Sequence, residues 1–164
     1  MYISFDEMNE QSRIWIFQSS GFLEFEKVER LSAGMMNFLD QWQAHGQDLK
    51  ASFTILYNRF LVVALDEKSY QATGCSIDKL VHWVQAAEKE LDISLMDRTR
   101  VSFRDENNLI ITLDMNTFRD LLEKGDLDEN TTVFNNLVET KQQLKTQWEV
   151  PLGRSWHKQW LPVA

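Results

Sequence analysis

The chain has 164 residues, 43% of them hydrophobic and 12% aromatic, with a formal net charge of -8 and a pI near 4.9. That apolar content offsets the entropy of ordering a chain of this length, which excludes global disorder and leads us to expect a single globular domain over 1–164, with 1–12 as a flexible extension. The acidic balance argues against a nucleic-acid partner, since phosphate binding starts from a basic patch, and the one cysteine, Cys75, excludes an internal disulfide and suits a reducing cytoplasm.

Arg13 to Ser19 is short, rich in β-branched and aromatic residues, and followed by Ser20-Gly21, which reads as a first strand ending in a turn. From Glu24 to His45 the apolar positions Phe25, Val28, Leu31, Met35, Leu39 and Trp42 recur three or four apart, predicting a helix that Gly46 stops. Ser52 to Asn58 and Phe60 to Asp66 are dense apolar runs joined by few residues, the pattern of a hairpin at the centre of a covered sheet. A polar loop, Glu67 to Gly74, leads to a second amphipathic helix marked by Ile77, Leu80, Val81, Val84, Ala87 and Leu91, with Ser76 as its expected N-cap and Asp78 in its first turn.

Val101 to Arg104 and Leu109 to Asp114 flank the turn-forming Asp105-Glu106-Asn107-Asn108 and predict a second hairpin. Asn116 to Lys124, closed by Gly125, reads as a short helix. Phe134, Leu137, Val138, Leu144 and Trp148 give a helical stripe that Pro151 ends, and Trp156 and Trp160 stand one helix turn apart before Pro162. The order of elements favours an α+β fold, a single mixed or antiparallel sheet of about five strands with helices packed on it. No run of about 20 apolar residues is present and Met1 to Ser12 is acidic, so neither a membrane span nor a signal peptide is expected.

The candidate chemistry lies between Thr73 and His82, where a polar loop meets a helix start bearing the cysteine. At about 100° per residue, Asp78 and His82 fall on the side opposite the apolar stripe. A thiolate at Cys75 would feel the positive end of the helix dipole, with His82 as base and Asp78 beside it; alternatively the N–H groups around Gly74, Ser76 and Lys79 would hold an anion. In the purely structural alternative, Gly74 turns the chain, Cys75 fills space, Ser76 caps and His82 is solvated. Asn135, Asn136 and Lys141 are further polar ligand candidates. The three histidines, His45, His82 and His157, show no metal-ligand spacing, and neither a Walker A loop nor a dinucleotide fingerprint occurs, so no metal or cofactor is expected. Trp148, Trp156 and Trp160 cluster near the end as core aromatics or interface anchors.

The runs Gly74-Cys-Ser-Ile-Asp-Lys79, Val133-Phe-Asn-Asn-Leu-Val138, Trp148-Glu-Val-Pro-Leu152 and Ser155-Trp-His157 resemble a family of small uncharacterised bacterial proteins, over most of the chain from Arg13 onward. Some members carry the label ABC-transporter ATPase; the missing Walker A loop contradicts that label here. The resemblance implies a bacterial cytoplasmic protein and no particular substrate. The residues themselves favour a non-enzymatic interaction or regulatory domain, with an unknown protein partner or self-association as its simplest form. A small-molecule binder or enzyme acting through Thr73 to His82 is the alternative.

Overall fold

A computed structural model describes residues 1–163. The chain is α+β and divides into two compact units, the first comprising 1–97 with 139–142 and the second 98–138 with 143 onward.

In the first unit, β1 (Arg13–Gln18), β4 (Lys50–Leu56) and β5 (Phe60–Asp66) form an antiparallel sheet in the order β1-β5-β4. Strand β5 is buried along its whole length, as its unbroken Phe60-Leu-Val-Val-Ala-Leu65 run requires of a central strand. Helix α1 (Phe25–Asp40) buries Leu31, Met35 and Leu39, and α2 (Gly74–Leu91) buries Leu80, Val84, Ala87 and Leu91. These stripes join Phe17, Ala51, Leu61, Val63 and Leu65 in one core. Residues 1–12 are tied in: Tyr2 bridges to Ala51, Met8 and Ser12 are buried, and the Met1 ammonium donates to the Leu49 carbonyl at 2.8 Å.

Helix α1 stops at Asp40, short of the expected His45. Trp42 is instead fully buried beyond the helix, and a two-stranded hairpin, β2 (Gln43–Ala44) and β3 (Gln47–Asp48), follows. His45 and Gly46 at its tip have φ of 51° and 76°, so Gly46 makes a two-residue hairpin turn and is no helix stop. Phe25, expected in the buried stripe, is 72% exposed, because as the first helical residue it lies about 80° from the stripe's centre.

The second unit holds a four-stranded antiparallel sheet in the order β7-β6-β8-β9: β6 (Arg100–Arg104), β7 (Ile110–Asp114), β8 (Thr132–Phe134) and β9 (Glu149–Pro151). Helix α3 (Met115–Glu123) is capped by Asp114, whose carboxylate accepts the Thr117 N–H at 3.0 Å and the Thr117 hydroxyl at 2.7 Å. Those bonds hold the Asp114 carboxyl below the ordinary aspartate range. Phe118 and Leu122 pack with Val101, Phe103, Val133 and Leu152 in this unit's core.

The single sheet of about five strands is thus replaced by three antiparallel sheets of three, two and four strands. The second hairpin takes its further strands from 132–134 and 149–151, segments of three residues, too short to display a period of their own. The helical stripe from Phe134 to Trp148 is likewise reduced to α4 (Lys141–Gln147). Phe134 is in β8, and Leu137 lies in a turn with 65% exposure. Trp156 to Trp160 is a 3-10 helix.

Candidate functional site

At the start of α2 the cap is Thr73, one turn earlier than the expected Ser76. Its hydroxyl accepts the Ser76 N–H at 3.1 Å, and Ser76 Oγ accepts the Thr73 N–H at 2.7 Å, a reciprocal capping box that buries Ser76. Gly74 and Cys75 therefore sit inside the first turn and Asp78 lies beyond it. Cys75, Asp78, Lys79 and His82 are all exposed. Cys75 and His82 do share a helix face, yet seven residues of α-helix separate them by about 10 Å along the axis, far beyond proton-transfer reach. His82→Ala should leave the rate of Cys75 with a thiol reagent unchanged. A severalfold fall would restore the thiol–imidazole pair.

The other polar candidates are engaged within the protein. Lys141 is 3% exposed; its ammonium donates to the Met8 carbonyl at 2.8 Å and the Asp6 carbonyl at 3.2 Å, with Glu10 at 3.7 Å and the Phe5 ring beneath it at 5.3 Å. It anchors residues 5–10. Lys141→Met keeps the length of the side chain and orphans those acceptors, so it should cost about 1–3 kcal/mol and open residues 1–12 to proteolysis, measured by urea unfolding and limited digestion.

Asn135 and Asn136 form a clamp around Trp148. The Asn135 N–H donates to the Trp148 carbonyl at 2.6 Å, Asn135 Oδ1 accepts the Leu137 N–H at 3.1 Å, and Trp148 Nε1 donates to Asn136 Oδ1 at 2.8 Å. The Trp148 ring is buried edge-on to Phe134, with centroids 4.9 Å apart, and presents no outer surface. Trp156 and Trp160 are half-buried and meet edge to face at 4.9 Å around His157. His157 is buried beneath the stacked Trp156, with Phe118 and Trp160 at its edges and Ser155 Oγ 2.7 Å from its Nδ1. Burial lowers its pKa to about 4, so the ring is neutral at physiological pH.

Apart from Tyr70 in the loop before α2, the exposed aromatics lie at one end of the three-stranded sheet. The β1–α1 loop and the β4–β5 turn are stitched together there: the Ser19 N–H donates to the Arg59 carbonyl, the Leu23 N–H to the Asn58 carbonyl, both at 2.7 Å, and Asn58 Nδ2 returns to the Leu23 carbonyl at 3.3 Å. This brackets three outward aromatics, Phe22 (65% exposed), Phe25 and Tyr57 (47% exposed). Tyr57 and Asn58 hold φ of 54° and 51°, a left-handed conformation that costs a tyrosine roughly 1 kcal/mol or more. Beside them a cavity of about 170 Å³ is lined by Phe22, Lys27, Asp92 and Ile93, and Lys27 Nζ donates to the Asp92 carbonyl at 3.4 Å.

Sequence reasoning passed over this end. Phe22 stood in an unassigned loop, Phe25 in the buried stripe and Tyr57 in a strand; the Gly-poor turn at Tyr57-Asn58 gave no signal. A second, wider cleft of about 500 Å³ is bordered by Arg13, Trp15, Glu67 and Glu139. There the Arg13 guanidinium already rests 4.6 Å over the Trp15 ring and 3.9 Å from Glu67.

Among the described residues, no group of His, Cys, Asp and Glu is placed to hold a metal ion, and no helix is long and apolar enough to cross a membrane. Family models, curated proteins and solved structures all return no match to this chain.

Proposed function

We propose that the chain is a non-enzymatic cytoplasmic interaction domain that associates with itself through the first unit. The observation that carries this reading is the trio Phe22, Phe25 and Tyr57, large aromatics facing solvent on one stitched end while the apolar positions of the adjoining β5 strand are buried. Such rings are the residue type that anchors protein interfaces. The open helix face around Cys75 and the internal engagement of Lys141, Asn135 and Asn136 leave the catalytic alternative without an assembled site.

Replacing Phe22 and Phe25 together by serine should weaken self-association about tenfold or more with an unchanged far-ultraviolet circular dichroism spectrum, as followed by sedimentation velocity. Equal association of wild type and double variant would remove this end from the interface.

A further inference from the structure

The cleft of about 500 Å³ beside β1 joins well-held parts to one loosely held part. The Trp15 ring that lines it is set edge-on at 6.0 Å to Trp42, which is buried and donates to the Ser76 carbonyl. Arg13 pairs with Leu65 on one side and with Thr140 on the other. Glu67, just past β5, and Glu139, whose carbonyl accepts the Ile14 N–H at 3.0 Å, therefore border the cleft from opposite flanks of the strand. Glu67 is fixed in turn, because its Oε2 accepts the Ala72 N–H at 3.0 Å. The loosely held part is the Arg13 side chain. Its guanidinium, 44% exposed, lies 4.6 Å over the Trp15 ring, and Nη1 stands 3.9 Å from Glu67 Oε1, a long contact for an ion pair. Exposed contacts of either kind are each worth less than about a tenfold preference, so another cation competes with Arg13 on similar terms.

We propose that this cleft binds an alkylguanidinium group, borne by a small molecule or by an arginine side chain of a partner, and that Arg13 is a built-in stand-in which the ligand displaces. The chemistry is displayed by the chain itself: a planar cation already covers the Trp15 face beside the Glu67 carboxylate. Two carboxylates against one guanidinium leave the lining one negative charge in excess, and Arg13 swinging out to water leaves both facing the ring. The net charge of -8 draws cations to the surface and repels anions. A guanidinium is preferred to a primary ammonium because it lies flat on an indole while its edge donates to a carboxylate. An open cleft of this volume also admits the alkyl stem, whose methylenes lie along the apolar ring.

The test titrates the full chain with butylguanidinium, with its uncharged isostere butylurea, and with a blocked tripeptide of arginine between two glycines. Binding is followed by the Trp15 indole N–H signal in proton–nitrogen NMR, assigned by its loss in Trp15→Phe. Butylguanidinium should shift that signal with a millimolar or lower dissociation constant that rises with salt, and butylurea should bind about tenfold more weakly or not at all. Arg13→Ala should bind butylguanidinium about fivefold tighter than wild type, because the competing cation is gone; a merely structural arginine gives no such gain. Glu67→Gln keeps an oxygen for the Ala72 N–H and should weaken binding about fivefold. Tighter binding of the tripeptide than of butylguanidinium identifies the source as a partner's arginine, and the reverse order identifies a small molecule. The contrast between butylguanidinium and butylurea on wild type decides the matter should a variant fail to fold. Equal binding of the two, no shift of the Trp15 signal, or no gain on removing Arg13 overturns the proposal.

Discussion

Trp42→Ala should lower the unfolding free energy of the first unit by about 4 kcal/mol, measured as a shifted urea midpoint at neutral pH. The indole is 2% exposed, lies edge-on to Trp15 at 6.0 Å and near Phe38 at 5.8 Å, and donates its Nε1–H to the Ser76 carbonyl at 2.8 Å. Truncation thus empties a large volume between α1, α2 and the sheet and removes a buried hydrogen bond. Trp42→Phe retains most of the packing and should cost about 1–2 kcal/mol. Equal effects of the two variants would mean that the hydrogen bond, and not the volume, holds the ring.

His157→Asn should flatten the acid limb of stability. The imidazole has a pKa of about 4 in the folded chain, against 6.5 for an ordinary histidine. Between those values the unfolded chain binds a proton that the folded chain refuses, so stability is complete above about pH 6.5 and falls as pH drops toward 4. The gap between the two values sets the loss at up to about 3 kcal/mol. An asparagine amide in its place cannot titrate and offers Ser155 a polar atom near the position of Nδ1, so the variant loses this contribution to the slope. An imidazole proton resonance of the native chain, assigned to His157, that titrates near pH 6.5 would contradict the buried, neutral assignment.

The residues announced some of this architecture clearly. The stripe Leu80, Val84, Ala87 and Leu91 keeps helical period over about three turns, and the apolar runs on either side of Tyr57-Asn58-Arg59 do form a hairpin, of which β5 is the buried central strand while β4, expected at the centre of a covered sheet, is an edge strand half-buried from Phe53 to Leu56. Trp42 continued the helical spacing of Leu31, Met35 and Leu39, yet its place beyond the helix depends on the His45-Gly46 turn and on a hydrogen bond to Ser76, thirty-four residues away. Val133 becomes a strand residue only because it pairs with Phe103 on one side and Val150 on the other, a long-range pairing that three-residue segments cannot announce.

The candidate site was less legible. Thr73 to His82 drew attention through rare residue types, but chemistry needs distance as well as type, and a helix separates Cys75 from His82 by two turns. Lys141 was a polar ligand candidate by residue type alone; its partners, Asp6, Met8 and Glu10, come from the far end of the chain. Phe22, Phe25 and Tyr57 are brought to one end by hydrogen bonds between the β1–α1 loop and the β4–β5 turn, an adjacency no local pattern records.

The central claim, self-association through the first unit, is tested most directly by light scattering across a wide concentration range, at low and at high salt. The weight-average mass should rise from 19.3 kDa toward twice that value with concentration, and further at high salt. A mass that stays at 19.3 kDa at every concentration and salt would contradict it.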